Sequence, residues 1–176
     1  ISNLTYDGLI ARSGDRPIPL LEQVLDAYFG KVLFNIEIKS RGAAEQLVRL
    51  LKRRYIHKAA DWDSLIISSY KAAELMRVRR LVKRANLAML HNSNPFIFVA
   101  YQRALRLTAV GFHRLYLNRF ALEIARRAHI FIYVFTVDRP GAIPYLEAQG
   151  VEGIVTNHPD RMADYIEKHR DHDHGA

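Results

Sequence analysis

The sequence contains no cysteine. Disulfide bridges, thiolate metal sites and a cysteine nucleophile are therefore excluded. No apolar run approaches the roughly 20 residues that a membrane-spanning helix needs, and residues 1–30 carry charges and turn residues instead of a secretory signal pattern. Because the absence of cysteine fits a reducing compartment, we expect a cytoplasmic rather than a secreted protein.

Several common catalytic motifs are also missing. No GxGxxG or GxxxxGK[ST] follows a predicted strand, which removes the best argument for a nucleotide-binding sheet. No HExxH spacing joins any of the eight histidines, and Ser68 and Ser69 lack the GxSxG context of a serine nucleophile. The chemistry of this chain must therefore depend on other residues.

Basic residues outnumber acidic ones, giving a net charge of +8 and a sequence pI near 9.9. Most of the excess lies in residues 49–58 and 77–84, where Leu and Val recur at helical core spacing. We interpret both segments as solvated outer helix faces, and we expect no nucleic-acid partner because aromatic residues are not interleaved with the charges. The alternative is a non-catalytic basic α/β protein that binds an anionic polymer or a membrane surface.

Apolar periodicity predicts six strands, and each is followed by an amphipathic helix. Such alternation is typical of parallel strands joined by right-handed crossovers. The loops TVDRP (136–140) and TNHPD (156–160) echo each other, since each leaves a strand through Thr and sets Pro in the next helical turn. The predicted strands are 31–39, 63–70, 86–91, 105–112, 130–138 and 151–157.

Two architectures accommodate six βα units, an open doubly wound sheet and a closed (β/α)8 barrel. A barrel needs eight units, so the chain reads as a TIM (β/α)8 barrel with the first two βα units missing. We expect one incomplete barrel domain over residues 1–168 and a disordered tail over residues 169–176. Because six strands cannot close an eight-stranded barrel, we also expect self-association through the unclosed edges, unless upstream residues complete the barrel.

The stretch NIEIKS (35–40) alternates polar and apolar residues with the period of a strand. Asn35, Glu37 and Lys39 therefore share one face, at the carboxyl end where barrel enzymes place their active sites. A carboxylate is an oxygen ligand of the kind that Mg²⁺ and Ca²⁺ prefer, and an ammonium suits a phosphate oxygen. The alternative is a structural ion pair that fills the barrel or lies on an edge strand.

The sequence resembles the glycerophosphodiester phosphodiesterase family over residues 4–168. The stretch IPLLEQVLDAYFGKVLFNIEIK is similar to the family pattern I-P-t-L-e-e-v-L…N-i-E-i-K, and IISSY is similar to its I-i-S-S-F. The stretch VFTVDRPGAIPYLEAQGVEGIVTNHPD is similar to the closing v-W-T-V-N-d-p…G-V-D-G-I-i-T-d-x-P-d. The order and spacing of these pieces carry the resemblance.

The resemblance implies a TIM barrel that hydrolyses glycerophosphodiesters to glycerol 3-phosphate and an alcohol, using a divalent metal, Ca²⁺ or Mg²⁺. It implies that Glu37 is a metal ligand and that Lys39 lies near the substrate phosphate. Phe135 stands where the family commonly has Trp, so an indole N–H donor is replaced by an apolar wall. Asp138 stands where the family has Asn.

The resemblance also implies residues that lie upstream of residue 4. The family carries an H-R-G motif on its first strand, a paired Glu and Asp after its second, and a further His. Without them a chain has no agent for general acid–base work, and one carboxylate is too few for an ion that takes roughly 6 to 8 oxygens. We therefore expect the 176 residues alone to be inactive or nearly so, with weak or absent metal binding.

Three further polar residues end strands and are candidates for the pocket wall together with Phe135. His91 and His113 lie near the ends of predicted strands, where they either face the mouth or pack in the core. Ser68 either donates a hydrogen bond to a phosphate or caps the following helix.

Overall fold

The computed structural model describes residues 5–14 and 16–169. Six strands and eight α-helices follow one another, with 3-10 turns at Ala59–Ser64, Arg114–Tyr116 and Pro140–Ala142. The strands are β1 Phe34–Glu37, β2 Leu65–Ser69, β3 Asn86–His91, β4 Ala109–His113, β5 Phe131–Phe135 and β6 Gly153–Val155. The helices are α1 Tyr6–Ser13, α2 Leu21–Tyr28, α3 Ala43–Arg54, α4 Ala72–Leu81, α5 Ile97–Leu105, α6 Arg119–Arg127, α7 Ile143–Glu147 and α8 Pro159–His169.

All five strand pairings are parallel, and the strands lie side by side in sequence order from β1 to β6. The six predicted strands and the helices between them are therefore confirmed. Helix α1 was not predicted from the sequence. It begins after Thr5, whose hydroxyl accepts a hydrogen bond from the Gly8 N–H, and it buries none of its residues, so no apolar stripe marks it.

A contact between distant strands shows that the sheet is curled. The Asn35 amide of β1 donates to the Tyr133 hydroxyl of β5 across 3.5 Å. In a flat sheet these strands would be about 19 Å apart, since neighbours are spaced about 4.8 Å. The rings of Tyr70 and Phe135, which follow β2 and end β5, also meet edge to face at 6.2 Å. The predicted incomplete barrel is therefore confirmed.

The two faces of the curled sheet carry different side chains. The main core lies outside, between the sheet and the helices, and includes Ile67, Leu87 and Val110. The inner face carries a smaller apolar cluster. That cluster consists of Ala88, Leu90, Ala109 and Tyr133, with Ile66 and Phe135 packed against it.

Small residues on the inner face make room for the Tyr133 ring. A Cβ atom added to Gly111 would lie 2.7 Å from carbons of the Tyr133 ring and from Leu90 Cδ2. A Cβ atom at Gly153 would lie 2.9 Å from the Phe131 ring. Only glycine therefore allows the rings of β5 to lie across the neighbouring strands.

The open edges of the sheet are β1 and β6, and apolar side chains are exposed beside them. Leu33, just before β1, is 60% exposed, and Val155 of β6 is 42% exposed. Self-association through these edges stays a prediction. Among the described residues, no helix combines the length and apolar character that crossing a membrane requires.

The carboxyl-terminal boundary differs by one residue from the prediction. His169 is the last residue of α8, and its ring stacks on Tyr165 at 4.0 Å. The helix therefore extends into the segment predicted to be a disordered tail, and residues 170–176 lie outside the described residues.

We predict that Gly111→Ala destabilises the protein by roughly 1 to 3 kcal/mol, because the added methyl group overpacks the buried contact with Tyr133. Urea denaturation measures the change in the free energy of unfolding. Gly141→Ala is the matched control, since nothing lies within 4 Å of the added Cβ there. Equal stabilities of the two variants would show that the inner face is loosely packed.

Candidate active site

Glu37 and Lys39 stand at the carboxyl end of β1 on the inner face. Glu37 is the last residue of the strand, and Lys39 follows two positions later. The Lys39 ammonium lies 3.5 Å from Glu37 Oε2. The Glu37 side chain is 30% exposed and that of Lys39 is 77% exposed, so the pair lies at the lip of the curled sheet, where a solute can reach it.

The loop after β1 is held by a buried carboxylate that sequence reasoning missed. Glu74 of α4 is fully buried and accepts hydrogen bonds from the backbone N–H groups of Gly42 and Ala44 at the start of α3. It also pairs with Arg77. Burial alone would raise the pKa of Glu74, but these hydrogen bonds and the arginine charge outweigh it and lower the pKa. The loop that carries Lys39 is thereby anchored to helix α4.

A second contact anchors the same loop. The Lys71 ammonium donates a hydrogen bond to the backbone carbonyl of Lys39. The Ser69 hydroxyl donates to the Ile38 carbonyl at 2.7 Å and accepts from the Lys71 N–H at 3.0 Å. The backbone of residues 38 and 39 is therefore tied to the end of β2.

A polar layer lies beneath the lip. Ser68 is the register partner of Glu37, and its buried hydroxyl has no hydrogen-bond partner among the described residues. This hydroxyl lies near that of Tyr133 without reaching hydrogen-bonding geometry. Burial raises the pKa of Tyr133 to about 12, so the phenol is neutral at physiological pH. Ser68 thus lies on the inner face, and its hydroxyl does not cap the next helix. Its place in the pocket wall stays a prediction.

Aromatic side chains form one wall of the lip. The Phe135 ring lies edge to face with Tyr70 at 6.2 Å and with His113 at 5.8 Å. Burial and then the charge of Glu37 raise the pKa of Tyr70, which is 43% exposed. The His113 ring faces this wall, and its Nδ1 accepts a hydrogen bond from the Leu115 N–H at 3.3 Å.

His91 does not line the pocket, and the prediction that included it in the wall is wrong. Its ring lies on the outer side of β3, between Phe98 at 5.8 Å and Phe112 at 5.6 Å. It is 2% exposed, and neither ring nitrogen has a partner among the described residues. The inner face of β3 is instead formed by Ala88 and Leu90.

Asp138 connects the loop after β5 to the loop after β6, at the carboxyl end of the sheet. Its carboxylate accepts hydrogen bonds from the Thr156 hydroxyl at 3.0 Å and from the backbone and side-chain N–H groups of Asn157 at 2.8 and 3.0 Å. The hydrogen bonds from Asn157 are the main reason why its pKa is lowered. Asp138 is therefore a structural tie between the two echoing loops.

The described residues do not form a divalent-metal site by themselves. No group of three or more His, Asp or Glu side chains within residues 5–14 and 16–169 is arranged to hold an ion. Glu37 contributes a single carboxylate, and the Lys39 ammonium lies 3.5 Å from its Oε2. What this lip offers on its own is a cation for an anionic group beside one carboxylate.

A curled parallel sheet with helices on its outer side and a charged pair at its carboxyl lip defines an α/β-barrel segment. The Glycerophosphoryl diester phosphodiesterase family model matches residues 2–161. The chain therefore belongs to the glycerophosphodiester phosphodiesterase family, as the sequence resemblance indicated.

Curated relatives agree with this assignment. A glycerophosphodiester phosphodiesterase of Caldanaerobacter subterraneus subsp. tengcongensis is 27% identical over 164 residues, covering 89% of this chain and 64% of the relative. A Bacillus subtilis relative is 28% identical over 161 residues, covering 85% and 62%. The chain thus spans less than two thirds of the length of these relatives.

Solved structures share the fold. A glycerophosphodiester phosphodiesterase of Thermotoga maritima superposes with a TM-score of 0.68 at 22% identity, over 86% of this chain and 65% of that one. An Oleispira antarctica phosphodiesterase, solved with the product sn-glycerol-3-phosphate, gives 0.69 at 17% identity, over 82% and 58%. Both likenesses support the incomplete barrel.

We predict that His91 makes stability depend on pH. Burial lowers the pKa of His91 from its ordinary 6.5 to about 4, so the unfolded chain takes up the proton first as pH falls. The resulting loss of stability begins near pH 6.5 and is complete below about pH 4. Between pH 7 and pH 5, protonation of His91 in the unfolded chain should lower the free energy of unfolding by about 2 kcal/mol.

The test is urea denaturation of His91→Phe at both pH values. Phenylalanine fits an aromatic site and cannot titrate, so the drop in stability on acidification should shrink by about 2 kcal/mol. His57→Gln, at an exposed position, should leave the drop unchanged. An unaltered pH dependence in His91→Phe would mean that this ring is protonated without penalty.

Proposed function

We propose that the domain to which this chain contributes hydrolyses glycerophosphodiesters to glycerol 3-phosphate and an alcohol. The observation that supports this most strongly is the Glu37–Lys39 pair at the lip of the curled sheet. Membership of the glycerophosphodiester phosphodiesterase family supplies the substrate class. The Oleispira antarctica phosphodiesterase was solved in complex with the product sn-glycerol-3-phosphate, and the reaction proposed here releases the same product.

Lys39 is proposed to bind a non-bridging phosphoryl oxygen of the substrate. Its side chain is 77% exposed, and the backbone of residues 38 and 39 is held by Ser69 and Lys71. A phosphodiester carries one negative charge, which grows on the phosphoryl oxygens as the attacking oxygen approaches. A fixed cation stabilises that charge more in the transition state than in the ground state.

Glu37 is proposed to be one oxygen ligand of a divalent cation, Ca²⁺ or Mg²⁺, in the complete domain. Its side chain is 30% exposed at the end of β1. The remaining ligands must come from outside the described residues, because those residues hold no further cluster of metal-binding side chains. We therefore propose that the 176 residues alone turn over substrate negligibly.

The aromatic wall is proposed to border the alcohol part of the substrate. Phe135 and Tyr70 lie beside the charged pair, and the neutral Tyr70 hydroxyl is a donor at the edge of that wall. His113 closes the far side of Phe135. An apolar wall beside a charged lip fits a ligand with a phosphate at one end and a less polar group at the other.

Substitution of the charged pair in the complete protein tests the proposal. Glu37→Gln and Lys39→Ala should each lower kcat/KM for a glycerophosphodiester by about 100-fold or more, since each removes a charge that faces the reacting phosphate. Release of glycerol 3-phosphate is measured with Ca²⁺ or Mg²⁺ present. The matched control is Lys31→Ala, which removes an exposed cation on the amino side of β1.

Retention of full activity by either variant of the pair would contradict the proposed roles. Robust turnover by the isolated 176 residues would contradict the proposal that further ligands are required. A folded Glu37→Gln protein with reduced activity that excess metal restores would instead support ligation by Glu37.

A further inference from the structure

Exposed apolar side chains gather on the two loops that follow β3 and β4 and on the first turns of α5 and α6. Leu115 and Phe120 are 68% and 67% exposed, more than most large apolar residues of the chain. Phe96, Ile97 and Tyr116 are 37%, 44% and 43% exposed. These five apolar residues and two arginines, Arg114 and Arg119, are together called the rim patch.

The rim patch is held in place by local structure. The rings of Phe96 and Phe120 meet at 6.1 Å and so join the two loops. Asn118 caps α6, its side-chain oxygen accepting from the N–H groups of Phe120 and Ala121 at 3.0 and 3.1 Å. The 3-10 turn Arg114–Tyr116 fixes the other half of the patch. These apolar groups are therefore presented to solvent by ordered backbone.

The unclosed barrel does not account for this exposure. β3 and β4 are the two central strands of the six-stranded sheet, whereas the open edges are β1 and β6. A strand that paired with either edge would lie beside Leu33 or Val155, and that pairing would not by itself bring it onto the loops after β3 and β4.

Ring contacts connect the rim patch to the candidate active site. Tyr116 lies 5.7 Å from His113, which lies 5.8 Å from Phe135. Phe135 in turn meets Tyr70, whose pKa is raised in part by Glu37. The patch and the charged lip are therefore on the same end of the barrel and open in the same direction.

The positive charge of the rim patch indicates which kind of partner it binds. Residues 92–99 and 113–121 contain no Asp or Glu. Arg119 also borders a groove with Glu123 and Glu147, but within the described part of the chain no carboxylate forms a salt bridge with Arg114 or Arg119. A second copy would bring arginines against arginines on a protein of net charge +8. An anionic partner with an apolar layer beneath its charges fits instead.

We propose that the rim patch docks the protein on the surface of an anionic lipid bilayer. Phe, Leu, Ile and Tyr side chains enter the boundary between headgroups and acyl chains, while the two arginines pair with lipid phosphates. Docking in this way turns the mouth of the barrel toward the membrane. The proposal concerns binding alone and does not require the proposed hydrolysis.

Vesicle sedimentation tests the docking. The protein should bind vesicles that contain phosphatidylglycerol and bind phosphatidylcholine vesicles much more weakly. Leu115→Ser/Phe120→Ser and Arg114→Gln/Arg119→Gln should each weaken binding to the anionic vesicles about tenfold or more. The Trp in Leu115→Trp should show a blue-shifted fluorescence when these vesicles are added, and this readout holds even where the serine variant fails to fold.

Matched controls separate the patch from overall charge. Tyr145→Ser removes an equally exposed aromatic ring from α7, and Arg49→Gln/Arg80→Gln removes two exposed cations from α3 and α4. Both should change binding by less than about twofold. Equal weakening by the arginine controls, or no binding at all, would overturn the proposal. Loss of a dimer in the patch variants without loss of vesicle binding would also overturn it and make the patch a self-association surface.

Discussion

The remainder of the molecule depends on the curl of the sheet. The hydrogen bond from Asn35 of β1 to Tyr133 of β5 shows this curl, because β5 lies four strands away from β1 in the sheet. The curl is allowed by small inner residues, Gly111 and Gly153, over which the aromatic rings of β5 lie. A bulkier inner face would hold these strands apart and flatten the sheet. Because the strands are parallel, curling them also gathers all their carboxyl ends into one rim.

The rim brings together side chains that are far apart in sequence. Glu37 ends β1 and Lys39 follows it, Ser68 lies in β2 and Tyr70 follows that strand, and Phe135 ends β5. The rigid link in this assembly is the loop after β1, which Glu74 binds to α4 and Lys71 binds to β2. The backbone that carries the charged pair is thereby held in place, and the role proposed for Lys39 toward a phosphate requires such preorganisation.

Period-two alternation carried most of what the sequence could predict. It placed Glu37 and Lys39 on one face because their neighbours Ile36 and Ile38 are apolar. The same reasoning failed for His91, since β3 is apolar on both faces and its alternation does not tell inside from outside. In the structure the His91 ring lies on the outer side of the sheet, where it is buried between Phe98 and Phe112.

Other features could not be seen in one sequence. Glu74 looks like an ordinary first-turn acidic residue of a helix, and only the tertiary fold brings the N–H groups of Gly42 and Ala44 to it. Helix α1 carries no buried face, so periodicity gave no signal. The rim patch joins two loops about 20 residues apart through the contact of Phe96 with Phe120, which depends on the parallel register of β3 and β4.

The most direct test is a crystal structure of the complete domain with sn-glycerol 3-phosphate bound. The account predicts a phosphate oxygen about 3 Å from the Lys39 ammonium, with the Glu37 carboxylate on the same side of the curled sheet. A phosphate bound elsewhere, or a Lys39 side chain turned to the outer face among the helices, would contradict it.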